Sequence, residues 1–373
     1  MDKNNNNKKK STTSNATEQS SYDLSILKKY ELIYDQEGYC LAFSLDQLNN
    51  SKTSDNNNNV ETNPLAFFNH FGFLVIENAL TSDECDRTLG EIFGIMESKS
   101  TFKRDDRSTW NDFPETDSIV QYGSPSRPPI FTRQFLLNRC NPNIFNVFAT
   151  VLGNQDLMTN HDRCCFFRPT ETDSTSADKI GKKEWSTKDN VHLDMNPFNW
   201  MMTDGSVVRA ELDRLRYDKI SEFIVENNQP SHLDGTQLQG VINLLDNHLE
   251  DGGYCVVPGF LHCFEEYFKT KTPNYTQPST NFSSKDPVFK YARRIPMRKG
   301  SVVVWDQRMP HGSLSNHSSN PRSAQFIKMF PTTTVSQDRY KSRAIVLSKI
   351  INSIDDFPST PLSNQLFGLV GKY

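Results

Sequence analysis

Residues 300–330 read GSVVVWDQRMPHGSLSNHSSNPRSAQFIKMF. Three short segments in this stretch, the first beginning one residue before it, are typical of β-strands: 299–305, 311–315 and 323–330. Apolar and β-branched residues recur in them, and Pro, Asn and Ser separate them. His311 follows the first strand and its turn, and Arg322 opens the third strand. If the second and third segments pair as an antiparallel hairpin closing near Asn316, His311 and Arg322 lie opposite each other. The stretch therefore predicts a β-rich fold in which a histidine meets an arginine.

The same pattern extends through the middle of the chain, and helical patterns flank it. Further strands are expected at 71–76, 161–168, 187–194, 237–245 and 252–257, with short strands also between 24 and 45. Helices are expected from the capping box at 81–84, from Asn141-Pro142 to Gly153, and at about 206–226, 262–269 and 337–353. This order predicts a mainly β fold with helical additions (α+β) around a sandwich or jelly-roll core. No glycine-rich strand-to-helix turn occurs, so a doubly wound fold fits poorly.

Composition excludes several classes of protein. The 41 basic and 45 acidic residues give a net charge of -4, without the basic stripe of a nucleic-acid binder. No apolar run of about 18 residues predicts a membrane span, and the Asn- and Lys-rich start has no secretory signal. The seven cysteines show neither disulfide nor zinc spacing, so we expect reduced thiols in a cytoplasmic protein. We expect no nucleic-acid or membrane partner, and the oligomeric state stays open.

One tripeptide in a candidate strand has metal-ligand chemistry. His192 and Asp194 are two residues apart, and alternate residues of a strand point to the same face. An imidazole and a carboxylate at that spacing can supply two adjacent ligands to a divalent metal. Taken alone, such a pair is more often an exposed His and Asp beside a turn.

His311 is the candidate third ligand, and Arg322 lies eleven residues after it. Two histidines and one carboxylate on one face of a metal, with open positions opposite, form the arrangement of non-haem Fe(II) oxygenases. A guanidinium beyond the metal can clamp a carboxylate, which is what a 2-oxoacid co-substrate requires. The ordered set is much less frequent by chance than any of its members.

These residues resemble the phytanoyl-CoA dioxygenase family. The resemblance rests on the segment that begins HLDMNP at His192, the segment DGGYCVVPG at 251–259, and the stretch from Gly300 to Arg322. It spans roughly residues 65–335, with weaker similarity at 361–369.

The resemblance implies a double-stranded β-helix and Fe(II)- and 2-oxoglutarate-dependent oxygenation. By this likeness His192, Asp194 and His311 would hold Fe(II), and Arg322, Ser313 and Gln239 would bind 2-oxoglutarate. O2 would be the second co-substrate, and a ferryl species would hydroxylate a small-molecule substrate, with succinate and CO2 as co-products. Two alternatives stay open: a metal-binding cupin-like protein that does not use 2-oxoglutarate, and a non-catalytic binding protein on the same barrel.

A second copy of the tripeptide, His232-Leu233-Asp234, competes with the first. Pro230 and a polar run precede it, which is typical of the end of a loop, so we favour His192. This choice makes 195–236 an insertion holding one helix. We expect residues 1–22 to be a disordered tail, 49–59 a surface loop, and 23–373 one oxygenase domain with a β-helix core at about 155–335 and a helical extension at 336–373.

Overall fold

The computed structural model describes residues 22–51, 58–176, 178–202, 206–226 and 231–369. The strands in these ranges are β1 (Phe73–Ile76), β2 (Leu157–Thr159), β3 (Cys164–Phe167), β4 (Asn190–Leu193), β5 (Leu238–Asn243), β6 (Gly253–Val256), β7 (Thr280–Phe282), β8 (Arg293–Arg294), β9 (Val302–Asp306), β10 (His311–Leu314), β11 (Arg322–Ile327) and β12 (Met329–Pro331). The α-helices are α1 (Leu45–Ser51), α2 (Pro64–Phe71), α3 (Ser82–Glu97), α4 (Arg133–Arg139), α5 (Pro142–Leu152), α6 (Pro197–Trp200), α7 (Ser206–Asp213), α8 (Glu222–Val225), α9 (Phe264–Lys269), α10 (Gln337–Asn352) and α11 (Pro361–Phe367).

Two five-stranded antiparallel sheets form the core. One has the order β1-β9-β5-β11-β3 and the other the order β7-β4-β10-β6-β8, while β12 and β2 form a separate two-stranded ladder. From β3 to β6, and again from β9 to β11, successive strands alternate between the two sheets. This winding is the double-stranded β-helix, so the predicted jelly-roll core is confirmed.

The predicted hairpin between β10 and β11 is wrong. β10 pairs with β4 and β6 in one sheet, and β11 pairs with β3 and β5 in the other. Residues 315–321 carry the chain across the sandwich, because consecutive strands of a jelly roll belong to opposite sheets. His311 and Arg322 therefore face the space between the sheets from opposite walls.

Side chains of the first sheet alternate between this interior and an outer layer of helices. On β11 the side chain of Gln325 faces outward, where its Oε1 accepts a hydrogen bond of 2.8 Å from Asn138 on α4. Arg322 and Phe326, on the opposite face of the strand, line the interior cavity. Every residue of β5 is buried, since helices cover one face of this sheet and the second sheet covers the other. Because helices cover the outer face of this sheet, a ligand can reach its side chains only from the cavity between the two sheets.

The helix starts marked by capping signals are confirmed. α3 begins with the reciprocal capping box of Thr81 and Glu84. α5 begins with Asn141 as its cap and ends at Gly153, which adopts a left-handed conformation with φ of 62°.

The prediction of short strands between 24 and 45 is wrong. Residues Leu24–Lys29 form a 3-10 helix, and the rest of the segment makes only isolated bridges before α1. The side chain of Asp23 accepts a hydrogen bond from the backbone N–H of Ser25, which favours a helical turn. Leu24 and Leu27, three residues apart, are buried on one side of that turn.

Two insertions differ from expectation as well. Residues 49–51 end α1 instead of opening a loop, and 52–57 lie outside the described residues. In its described residues the 195–236 segment holds three α-helices, α6 to α8, instead of one. Tyr217, at φ of 58°, lies between α7 and α8, where the backbone leaves the helical conformation. Apart from Tyr22, the tail expected to be disordered lies outside the described residues. Among the described helices, none is long and apolar enough to cross a membrane.

Candidate metal centre

The strands of the second sheet bring two distant histidines side by side. His192 lies on β4 and is directly paired with His311, the first residue of β10. Their ring centroids are 4.7 Å apart. Asp194 follows the end of β4 and, two residues after His192, points to the same side. The three side chains therefore meet at one end of the cavity between the sheets.

The donor atoms of these side chains form a compact cluster. Oδ1 of Asp194 lies 3.4 Å from Nε2 of His192, and Oδ2 lies 3.5 Å from Nε2 of His311. All three residues offer one ligand atom within 4.8 Å of the others. Neighbouring ligands about 2.1 Å from one ion are separated by about 3 Å, so the cluster fits one face of an ion with little adjustment.

Two contacts fix the orientation of the His311 ring. Its Nδ1 contacts the backbone oxygen of Met309 at 2.9 Å, which fixes the proton on Nδ1 and directs the lone pair of Nε2 into the site. Its ring also packs on Trp305, with centroids 4.8 Å apart. Burial, partly opposed by the hydrogen bond to Asp194, lowers the pKa of His311. The neutral ring, which is the form that binds metals, is thereby favoured.

Asp194 is kept ionised and held in place. Burial alone would raise the pKa of its carboxyl, but the interactions with His192 and His311 outweigh this and hold the pKa well below its usual value. The amide Nε2 of Gln239 donates a 2.9 Å hydrogen bond to Oδ2 of Asp194. Gln239, predicted as a co-substrate ligand, thus contacts the candidate metal ligand.

The competing tripeptide lies elsewhere. Residues His232–Asp234 form a 3-10 turn instead of a strand. Nδ1 of His232 contacts the backbone oxygen of Trp200 at 2.8 Å, and Asp234 contacts Arg209 at 3.3 Å. A turn does not place residues i and i+2 on one face, so this pair is not assembled as a metal site.

Arg322 faces the same cavity from the opposite sheet. Its side chain is 2% exposed, lies over the ring of Phe167 and donates from Nη1 to the sulfur of Cys165 at 2.7 Å. Its Nε has no hydrogen-bond partner among the described residues. A buried guanidinium with an unused N–H is costly unless an anion completes it, so this wall of the cavity is suited to a carboxylate.

Ser313 stands between the two ends of the cavity. It lies two residues beyond His311 on β10, and both its backbone N–H and its hydroxyl contact Oδ1 of Asn190, at 2.6 and 3.3 Å. The cavity has a volume of about 360 Å³ and is lined by all six predicted site residues, namely His192, Asp194, Gln239, His311, Ser313 and Arg322.

Several polar residues of the cavity were not predicted as site residues: Asn190, Tyr254, Trp305 and Lys328. Lys328 is buried and donates a 2.7 Å hydrogen bond to Gln307, whose amide in turn contacts the backbone oxygen of Asp194 at 3.3 Å. The period-two spacing from Arg322 to Lys328 could have indicated that both face one side of the strand.

Comparisons with known proteins agree with this architecture. Residues 68–324 match the family described as Phytanoyl-CoA dioxygenase (PhyH). A Dictyostelium discoideum protein named "Putative phytanoyl-CoA dioxygenase" is 56% identical over 355 residues, covering 92% of this chain and 99% of that protein. The structure of GIG2, the product of GlcNAc-inducible gene 2 of Candida albicans, is similar with a TM-score of 0.55 and 14% identity, over 94% of this chain and 90% of that chain. A hypothetical protein from Escherichia coli gives a TM-score of 0.54 and 12% identity, over 88% and 85% of the two chains. These two structures support the fold alone.

Proposed function

The chain belongs to the phytanoyl-CoA dioxygenase family and is an oxidoreductase of the dioxygenase type, and on that premise we propose that it uses Fe(II) and 2-oxoglutarate to hydroxylate a small molecule. The observation that carries the proposal is the single cavity in which the His192, Asp194 and His311 cluster and the incompletely bonded Arg322 face each other.

We propose that His192, Asp194 and His311 hold Fe(II). Two imidazoles and one carboxylate suit iron, and their position on one face leaves coordination sites open for co-substrates. Gln239 is proposed to keep one Asp194 oxygen engaged, so that the carboxylate binds the metal in one orientation. The contact of His311 with the Met309 carbonyl gives that ligand the same fixed geometry.

We propose that Arg322 and Ser313 bind the distal carboxylate of 2-oxoglutarate. The guanidinium of Arg322 supplies charged donors, and Phe167 and Cys165 hold it against the wall of the cavity. Asn190 positions Ser313. When bound, Fe(II) and 2-oxoglutarate would supply the oxidative chemistry, in which O2 decarboxylates the co-substrate to succinate and CO2 and hydroxylates a substrate C–H bond.

The volume of the cavity also limits the size of the substrate. Its volume of about 360 Å³ must hold the co-substrate and the reacting part of the substrate together, which favours a small molecule or one end of a larger molecule. Substrates are selected by loops, so the acyl-CoA in the family's name is not carried over.

We also propose that residues 23–373 form one catalytic domain. One hydrophobic cluster runs from Leu24 to Leu366 and includes both sheets, which supports a single core. All seven cysteines are free thiols, and this supports a reducing, cytoplasmic location.

Turnover of the co-substrate tests the proposal. Purified protein loaded with Fe(II) and then given 2-oxoglutarate and O2 should form succinate, and the rate should depend on the metal. Arg322→Met should raise the KM for 2-oxoglutarate at least about 30-fold, because leaving a buried carboxylate unpaired costs about 2 kcal/mol or more. The exposed Arg209→Met serves as control and should behave like the wild type. Iron binding without any consumption of 2-oxoglutarate would favour the cupin-like alternative instead.

A further inference from the structure

Tyr254 has a buried hydroxyl that the fold itself does not use. The residue lies in the middle of β6, is 3% exposed and lines the cavity. Its hydroxyl has no hydrogen-bond partner in the described ranges. Burying a hydroxyl without a partner is unfavourable, and a phenylalanine would fill the same space without that cost. The hydroxyl therefore suits a ligand that enters the cavity.

The register of the second sheet places Tyr254 at a defined distance from the metal ligands. On β10 and β6, His311 is paired with Val256 and Ser313 is paired with Tyr254. Tyr254 is thus two residues further along the sheet than His311, or about 7 Å, on the interior face that Ser313 shares. The backbone of Tyr254 therefore lies at the level of Ser313 along the sheet, and not at the level of His311.

The residue that precedes Tyr254 on β6 lies beside Arg322. The preceding residue, Gly253, lies so close to Arg322 that an added Cβ would come within 2.6 Å of the arginine Nε. The ring of Tyr254 packs on Trp305 with centroids 4.5 Å apart, which limits the movement of the phenol. Burial raises the pKa of the phenol well above its usual value, so the group remains a hydrogen-bond donor.

We propose that Tyr254 is a positioning residue for the co-substrate, whose hydroxyl donates a hydrogen bond to the distal carboxylate of 2-oxoglutarate alongside Arg322 and Ser313. This inference rests on the proposed function. Three donors from β6, β10 and β11 would recognise the carboxylate from both sheets. Tyr254 would then contribute to selecting a five-carbon oxoacid over shorter ones.

Binding of two oxoacids to the Tyr254→Phe variant tests the inference. Full-length protein loaded anaerobically with Fe(II) is titrated with 2-oxoglutarate and, separately, with pyruvate, which lacks the distal carboxylate. The variant should bind 2-oxoglutarate about 10- to 100-fold more weakly, since a hydrogen bond to a charged group is lost. Its affinity for pyruvate should stay within about twofold of the wild type. The exposed Tyr275→Phe is the matched control and should change neither affinity.

The outcomes separate this inference from the function on which it rests. Equal affinity of wild type and Tyr254→Phe for 2-oxoglutarate would overturn the role of Tyr254, as would a parallel loss for both oxoacids. Failure of the iron-loaded wild type to bind 2-oxoglutarate would overturn the proposed function itself. Thermal unfolding distinguishes a structural role, because removing an unpartnered buried hydroxyl should leave the variant at least as stable as the wild type.

Discussion

Replacement of Glu226 by glutamine tests how the 206–226 segment is anchored. This glutamate follows α8, and its Oε2 lies 3.0 Å from Nη2 of Arg339 and 3.3 Å from Nε of Arg343, both on α10. The hydroxyl of Tyr217 donates to the same oxygen at 2.8 Å. All four side chains are buried. The carboxylate therefore joins the segment to the C-terminal helix through charges that water does not reach.

The structure sets the magnitude of the effect. Glu226→Gln keeps the shape of the side chain but leaves two buried guanidinium groups without their counter-charge. Removing one partner of a buried pair costs about 3–5 kcal/mol, which is a large part of the 5–15 kcal/mol typical of a folded protein. Glu211→Gln is the matched control, since Glu211 pairs with Arg214 at 2.8 Å on the exposed side of the same segment. Exposed pairs of this kind contribute less than about 1 kcal/mol.

Urea unfolding followed by circular dichroism measures both variants. The midpoint for Glu226→Gln should fall by an amount corresponding to about 3 kcal/mol or more, with the slope unchanged. Glu211→Gln should have the same urea midpoint as the wild type. If Glu226→Gln lay within about 0.5 kcal/mol of the wild type, the anchoring role of the buried cluster would be refuted.

Two further predictions concern the walls of the cavity. Burial lowers the pKa of Lys328 from 10.5 to about 8, so between these values the unfolded chain binds more protons and the unfolding free energy rises with pH. Relative to Lys328→Met, the unfolding free energy of the wild type should rise by up to about 3 kcal/mol between pH 8 and 10.5. A difference between the two proteins that stays constant over this range would contradict the lowered pKa of Lys328. Gly253→Ala should weaken binding of 2-oxoglutarate in titrations of the iron-loaded protein, since the new Cβ displaces Arg322 at a residue with φ of 99°. Gly38→Ala, at φ of 84° with open space around it, should cost stability alone, and equal effects of the two substitutions on binding would argue against the contact.

Local sequence patterns could predict that His192, Asp194 and His311 lie together, because the position of each depends on a local rule. His192 and Asp194 share a face by strand alternation, and His311 begins a strand after a turn. The strands that pair with β11, which Arg322 begins, could not be predicted in the same way. Which strands pair in a jelly roll is decided by the closure of two sheets over long distances, and the adjacent segments 311–315 and 322–330 fit a hairpin equally well from sequence alone.

Tyr254, two short strands and the 24–45 segment could not be predicted from the periodicity of apolar residues. Tyr254 lies in the run GGYCVV, where both faces of the strand are buried and polarity does not alternate. β2 and β7 have three residues each, too few for a repeat to be recognised. At 24–45 the apolar residues were consistent with strands, but the cap at Asp23 favoured a helical turn.

The most direct test of the metal centre compares the two histidines that begin the same tripeptide. Anaerobic addition of Fe(II) and 2-oxoglutarate to the wild type should produce a visible charge-transfer band. His192→Ala should abolish the band, because one of the three proposed ligands is lost, while His232→Ala should retain it, because that ring contacts the Trp200 carbonyl outside the cluster. A band that persists in His192→Ala and disappears in His232→Ala would contradict the assignment of the metal centre.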